Sequence, residues 1–430
     1  MPVSRHFHLS VLLCFLLMPG IAVARDQKSV PTPYGLKYYR ASAVTPRPAA
    51  RVLQSAPDAA NYRRQVEDAE LANGPYSPVL GEMLSGEASY LEQRGNHEAA
   101  IDSLRRAVHV TRINDGLHSP MIVPLVRRLY SNYLVVGDRE MADDAQQYLF
   151  FLARESWDEL SPEGVAATVE LADWRRKTWL VELFNRDVRR WYQSYQLIDD
   201  AMDELRLRED PQLELLEPLT YAQLRQLYLL GEGEFGLSEE VQMALGRRFT
   251  EDQNQQLSHE ERQLQLLQKN AYSRGRKLLE ALSQAQREAG NRRAQARAEL
   301  YLADWHIWHN RSTRAAKHYR QCWQLLTDSE LRYLREEWFD EPKELPVDEV
   351  FFAGPQLQDA NTVYVPINLR FTVSARGKPG AIDTLSLGEE YEGLGYRLQR
   401  WLRAARFRPL LDEGEMVDST LLEVEYLVAD

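Results

Sequence analysis

From Leu80 to Arg335 apolar residues recur at helical spacing in long stretches separated by short polar turns, with hardly any of the alternation a strand shows. Leu84, Ala88 and Leu91 fall on one face of a predicted helix, Gly95-Asn96 is a turn, and Ala100, Leu104 and Ala107 line a second helix. The pattern returns with Val126, Tyr130 and Tyr133, the turn Gly137-Asp138, then Ala142 and Leu149. Gly95 and Gly137 are 42 residues apart, as are Ala100 and Ala142, which makes the unit a repeating helical hairpin. Glycine closes its turn, and a small residue early in the second helix lets two antiparallel helices approach closely. A third hairpin is predicted from Leu302-Ala303-Asp304-Trp305 and Ala315, Tyr319 and Cys322, and Leu171-Ala172-Asp173-Trp174 echoes its opening. Residues 263–286 read as a further second helix with Gly275 at the small position; an unrelated helical bundle is the alternative for this degenerate middle.

After Pro342 and Pro346 the period changes. Val365, Ile367, Leu369, Phe371 and Val373 alternate with Pro366, Asn368, Arg370 and Thr372, which predicts a half-buried strand over 362–374. Arg376-Gly377-Lys378-Pro379-Gly380 is a turn, and Ala381 to Leu387 returns as the second strand of a hairpin. Leu394, Leu398, Trp401, Leu402 and Ala405 then share one helical face, with Arg397, Arg400 and Arg403 on others. Phe407-Arg408-Pro409 leaves the helix, Asp412 to Glu415 turns, and Leu422, Val424, Tyr426 and Val428 alternate along a last strand. This order predicts a small α+β layer with the helix covering one sheet face.

The first 24 residues read as a secretory signal peptide: Arg5, an apolar stretch from Val11 to Met18, Pro19-Gly20, and Ala22-Val23-Ala24 before Arg25. The apolar run is short of the roughly 20 residues a membrane span needs, so no stable span is expected after cleavage. Residues 25–61, rich in Pro and Ala without a sustained period, are expected to be a tether. Array, linker and sheet domain are then expected at 62–341, 342–361 and 362–430.

The composition, 44% hydrophobic and 27% charged over 430 residues, is that of a soluble globular chain and excludes disorder, collagen and a membrane bundle. With 52 basic and 64 acidic side chains the net charge of −12 repels nucleic-acid backbones, so no nucleic acid partner is expected. Cleavage of the signal would remove Cys14 and leave Cys322 as the one thiol, which excludes an internal disulfide.

Candidate chemistry is sparse. Gly231-Glu232-Gly233-Glu234-Phe235-Gly236 has the spacing of a dinucleotide loop, but it follows the helical run Tyr221 to Leu230 rather than a strand, and its glutamates would face a pyrophosphate. His306, His309, His318 and Cys322 lie on two helices of one hairpin and have ligand types that suit zinc. Repeat logic instead puts Cys322 and His306 in the core and points His318 elsewhere. No serine elbow, phosphate loop or calcium loop is present. No cofactor, metal or catalytic residue is therefore expected. An enzyme acting on cell-wall material would need a carboxylate pair that the sequence does not reveal.

The hairpins resemble the tetratricopeptide repeats, in a long-period version with extended linkers such as residues 112–117. The resemblance spans roughly 90–330 and implies a groove that binds protein partners. Its groove positions fall on Glu82, Ser85, Ser89 and Glu92 in the first copy and on Arg127, Ser131 and Leu134 in the second. The last 70 residues or so, with Gly377 in the first turn and Ala404-Ala405-Arg406-Phe407-Arg408-Pro409 followed by Gly414, look like the C-terminal domain of TonB-family proteins. The Tyr-Pro element that opens that family's domain has no clear counterpart here. This resemblance implies a periplasmic location and capture of an extended peptide by strand pairing, here along Thr420, Leu422, Val424 and Tyr426, unless that edge is blocked. The fold class expected is thus mostly α, a tetratricopeptide-like array followed by a TonB-like α+β domain. The function expected is an exported, non-catalytic scaffold for an envelope protein or extended peptide, with an accessory role in TonB-type outer-membrane uptake as the alternative.

Overall fold

The computed structural model describes residues 38–40, 59–181, 188–208, 212–230, 259–347, 350, 357, 364–385 and 387–429. The signal-like segment, most of the Pro/Ala-rich segment and the Gly231–Gly236 motif lie outside the described residues.

The helical part opens with α1 (Ala59–Asn73) and continues as antiparallel pairs: α2 (Pro78–Gln93) with α3 (His97–Asp115), α4 (Val123–Val136) with α5 (Arg139–Ser156), and α6 (Pro162–Leu180) with α7 (Val188–Leu207). Next come α8 (Leu213–Leu230) against α9 (His259–Glu288), and α10 (Arg292–Trp308) against α11 (Ser312–Leu325). Each second helix also packs on the first helix of the next pair, so the hairpins stack in a line. Short-range chemistry sets the turns. Gly95, Gly137 and Gly290 have positive φ, and the residue after each, Asn96, Asp138 and Asn291, caps the following helix through its side-chain oxygen.

The apolar positions predicted for the first two hairpins form one core: Leu84, Ala88 and Leu91 with Ala100, Leu104 and Ala107, then Val126, Tyr133, Ala142 and Leu149. In the last hairpin, α10–α11, Ala315, Tyr319 and Cys322 are fully buried beside Trp305. Gly275 occupies its small position for a visible reason: a Cβ there would sit 2.6 Å from the Trp305 ring.

A short helix α12 (Tyr333–Phe339) and strand β2 (Lys343–Glu344) lead out of the array. The C-terminal layer contains β3 (Tyr364–Val373), β4 (Pro379–Thr384), α13 (Glu392–Ala404), β5 (Phe407–Arg408), β6 (Leu410–Asp412), β7 (Glu415–Val417) and β8 (Leu422–Ala429). Alternate residues of β3 face a core made with Leu394, Leu398, Trp401 and Leu402 of α13, and with Val424 and Tyr426 of β8. Arg397, Arg400 and Arg403 are exposed on the other side of α13.

Two expectations about connectors are corrected. Tyr38–Arg40, inside the expected tether, form strand β1, and the main sheet runs β1-β8-β3-β4 with every pairing antiparallel. The expected linker 342–361 is also partly integrated into the fold. Lys343–Glu344 pair with Phe407–Arg408, Val350 is fully buried in the core around Trp305, and Leu357 is buried in the core of the first hairpins. Arg176 of α6, 2% exposed, donates from Nη1 to the Val350 carbonyl, which fixes that segment against the array.

The sheet layer is fastened to the last hairpin by the run that carried the TonB resemblance. Arg408 is ion-paired with Asp304 of α10, Arg406 Nε donates to Asn310 Oδ1 at 3.0 Å, and Leu345 N donates to the Arg406 carbonyl at 2.8 Å. Gly377 lies in the same seam with φ +71°, and a Cβ on it would meet the Phe407 carbonyl oxygen at 2.2 Å.

Candidate protein-interaction groove

Side-chain bonds join the first helices of successive hairpins, α2 to α4 through Arg128 and Glu92 and α4 to α6 through Arg127 and Glu170, and the array residues expected to bind partners lie on α2 and α4. The structure divides those residues into three groups.

Ser85 and Glu92 are tied to α4. Arg128 donates from Nη1 to the Ser85 hydroxyl at 2.9 Å and from Nη2 to Glu92 Oε2 at 3.0 Å, and Asn132 Nδ2 donates to Glu92 Oε1 at 2.7 Å. The Ser89 hydroxyl donates to the Ser85 carbonyl of its own helix. These groups hold α2 to α4, and their hydrogen-bonding capacity is largely used. Leu134 is 8% exposed and belongs to the core, so its assignment to the groove is corrected; a buried leucine offers a partner no surface. Glu82, Arg127 and Ser131 are exposed as expected.

Arg127 and Ser131 border a cavity of about 350 Å³ between α4 and α6. Its floor is Tyr130 and Trp174, packed edge to face with centroids 5.4 Å apart, over Gln146 and Leu149 of α5. The indole of Trp174 is fixed by donating to Asp143 Oδ1 at 2.7 Å. The rim is charged on both sides: Arg127 bridges to Glu170 of α6 at 2.8 Å, and Asp173 accepts from Arg176 at 2.6 Å and from Lys177 at 2.7 Å. Burial opposes the charge on Asp173, but Arg176 and Lys177 outweigh it and hold the carboxyl well below the usual range. Burial, reinforced by Asp173 and Glu170, pushes the Tyr130 hydroxyl well above its ordinary value. At neutral pH the groove thus offers an ionised carboxylate, a neutral phenol and the Arg127 cation, a set suited to binding a peptide's side chains and backbone, while Trp174, 2% exposed, supports the Tyr130 ring from beneath. A second hollow continues along the same helices as a cavity of about 230 Å³ with Phe150 and Trp157 in its wall.

In the sequence Tyr130 reads as a core position and Trp174 as inter-helix packing, Asp173 only as part of the hairpin opening Leu171-Ala172-Asp173-Trp174, and Glu170 and Lys177 as ordinary helix charges. Their common signal is the i, i+3, i+4 and i+7 spacing of Glu170, Asp173, Trp174 and Lys177, which puts all four on one helix face.

In the sheet layer the expected strand-pairing edge is partly covered, with Tyr426 of the expected residues already paired to Arg40. Val424 and Tyr426 point into the core, and Leu422 is half-buried against it. The backbone of β8 pairs with β3 over its whole length on one side, and on the other β1 already pairs with Tyr426–Val428. Thr420 is exposed just before β8.

The histidines of the last hairpin also differ from expectation. His306 is buried, as predicted, but His318 points toward it, with ring centroids 5.2 Å apart. Burial pushes the Cys322 thiol well up, which makes it a poor ligand or nucleophile. Among the described residues no group of three or more His, Cys, Asp or Glu is placed to hold a metal ion, and no helix is long and apolar enough to cross a membrane.

No protein-family model and no curated protein matches the chain. Among solved structures, it is similar to kinesin light chain nearly identical TPR-like repeats from Podosopora anserina, with 14% identity and a TM-score of 0.32, covering 61% of this chain and 97% of that one. A single-substitution variant of the same repeats matches with 14% identity and a TM-score of 0.32, covering 60% of this chain and 96% of that one.

Proposed function

We propose that the protein is a non-catalytic scaffold that binds a protein or extended peptide in the groove between α4 and α6. The observation that carries this reading is the rim of ionised, mutually paired charges around the half-buried Tyr130, whose ring is backed by the buried Trp174, in the crease between two stacked hairpins. Grooves of this kind, with an aromatic centre and a polar border, are what peptide partners use as anchors. The signal-like residues 1–24 support export, and the periplasm is the compartment proposed. A photo-reactive amino acid at Ser131 should crosslink a protein in living cells, whereas the same group at Asp102, exposed on α3, should not. Equal crosslinking at both positions would sink the proposal, and osmotic-shock fractionation tests the compartment separately.

A second reading, an accessory part in TonB-type outer-membrane uptake, is favoured by the strand, strand, helix, strand order of β3, β4, α13 and β8. Pull-down with this protein should then recover a transporter's periplasmic plug segment, and recovery of other envelope assemblies alone would count against it.

A further inference from the structure

Away from the groove along the chain, α9 and α11 flank a cavity of about 570 Å³ floored by His306 of α10. In a chain with net charge −12 this cavity collects cations: Arg276 from α9, and Arg314 and Lys317 from α11. One carboxylate, Glu280, also lines it, held by Arg276 in two bonds of 2.7 and 2.6 Å. Glu299 beneath is already engaged, accepting from Ser283 and lying 2.7 Å from His318 Nδ1. Lys317 makes no ion pair among the described residues, so its charge is uncompensated.

The hydrogen-bond order around Tyr272 gives the floor a direction. Arg314 Nη1 donates to the Tyr272 oxygen at 2.9 Å, and that hydroxyl lies 3.2 Å from His306 Nδ1. In the tautomer whose Nδ1 accepts from Tyr272, the ring proton of His306 sits on Nε2. Burial first, then His318, Arg314, Arg276 and Arg311, lowers the His306 pKa to about 3, so the ring is a neutral donor at physiological pH. Arg311, stacked over the Tyr272 ring at 4.3 Å, adds a further cation beside the opening. The first turn of α11 supplies Thr313 to the wall, and this helix has no side-chain cap at Arg311, unlike α3, α5 and α10.

We propose that this cavity binds a small phosphate-bearing ligand, with Arg314 and Lys317 on the phosphate and His306 Nε2 donating from the floor. The volume suits a compact phosphorylated molecule. Planar guanidinium, ammonium and neutral imidazole donors without a free carboxylate are the set that phosphate oxygens select. The site is separate from the α4–α6 groove and does not depend on the scaffold reading.

The test is calorimetric titration of the purified protein with glycerol 1-phosphate and pyrophosphate, and flotation with vesicles of phosphatidylglycerol in phosphatidylcholine. Saturable binding of the soluble probes assigns a free ligand, and binding of vesicles alone assigns a lipid headgroup; both uphold the site. The pair Arg314→Gln and Lys317→Gln should weaken that binding about tenfold or more. Arg397→Gln with Arg400→Gln, the same charge removed from the exposed face of α13, should leave it unchanged. Absence of binding to every probe, or equal weakening by both pairs, would overturn the proposal.

Discussion

Arg408 and Asp304, 104 positions apart in the chain, meet as a two-pronged ion pair in the seam between sheet and array, with Nη2 to Oδ2 at 2.6 Å and Nε to Oδ1 at 3.0 Å. The two side chains are only 3% and 2% exposed, and their remaining capacity is taken by the Trp338 carbonyl and the Tyr319 hydroxyl. A buried pair of this kind is costly to break, because the survivor is left charged without water or partner. Arg408→Met should therefore destabilise the protein by about 3–5 kcal/mol, and Asp304→Leu by a similar amount. Combined, the two should cost markedly less than their sum. Urea unfolding of the four proteins measures the coupling, and additive losses would refute it.

The seam also marks where sequence reading ends. Turns such as Gly95-Asn96 and Gly137-Asp138 were legible because their chemistry is local: a positive φ and a capping side chain within three residues. Gly275 was legible because small residues recur at one register. Arg406 and Arg408 were read as a family signature, but their partners Asn310 and Asp304 share no local pattern with them. Three-residue β1 was missed because so short a strand shows no alternation to detect. In the groove, Arg127 was assigned correctly to the exposed face while its neighbour Arg128, which holds α2 to α4, was passed over. One position on a helix turns a side chain by about 100°, and no partner was visible to settle the choice.

Three glycines separate conformational strain from crowding. Gly290 has φ +71° and open space where a Cβ would project, so Gly290→Ala should cost about 1 kcal/mol from backbone strain alone. Gly275 lies in a helix, where alanine is intrinsically favoured, yet its Cβ would overlap the Trp305 ring, so Gly275→Ala should cost more than Gly290→Ala. Gly377 combines a positive φ with collision against the Phe407 carbonyl and should be the most damaging of the three. Thermal unfolding should rank them 290, 275, 377 in increasing loss; any other order contradicts the packing described.

Acid sensitivity follows from the histidines of the last hairpin. Burial and nearby cations lower His306 from 6.5 to about 3, and burial with Arg311 lowers His309 from 6.5 to about 4. In each case the unfolded chain takes up a proton that the folded protein refuses, so their contribution is intact above pH 6.5 and is lost as pH falls toward 4 and then 3. His306→Gln keeps a hydrogen-bonding partner for Tyr272 but cannot titrate. Its unfolding free energy should vary less with pH between 6.5 and 4 than that of the unaltered protein, and adding His309→Gln should flatten it further. An unchanged slope in the double variant would reject this account.

Arg127 and Arg128 provide a comparison between binding and support. Arg128, with side-chain exposure of 25%, satisfies Ser85 and Glu92 at once, so Arg128→Leu should cost about 1–3 kcal/mol in urea unfolding. Arg127 is half exposed and makes one surface pair with Glu170, so Arg127→Leu should cost less than about 1 kcal/mol. In crosslinking through Ser131 the order should reverse, because Arg127 borders the proposed groove and Arg128 is engaged with α2. Loss of crosslinking in Arg128→Leu alone would place the partner on the α2–α4 face instead.

The sheet makes a last prediction about β1. A strand edge left unpaired invites another backbone, and Tyr38–Arg40 cover β8 at Tyr426–Val428, whereas among the described residues nothing pairs with Leu422–Glu425 on that side. Removing residues 1–40 should expose that whole side of β8. The truncated protein should self-associate with increasing concentration in sedimentation velocity, or pair with added extended peptides more strongly than the intact chain. Pro substitution at Leu427 cannot test this, because β3 pairs with the same strand and the fold itself would suffer. Glu425→Pro has the same fault, so truncation is the cleaner probe. A truncated protein that stays monomeric and binds peptides no better would mean that β1 contributes stability to the sheet without guarding its edge.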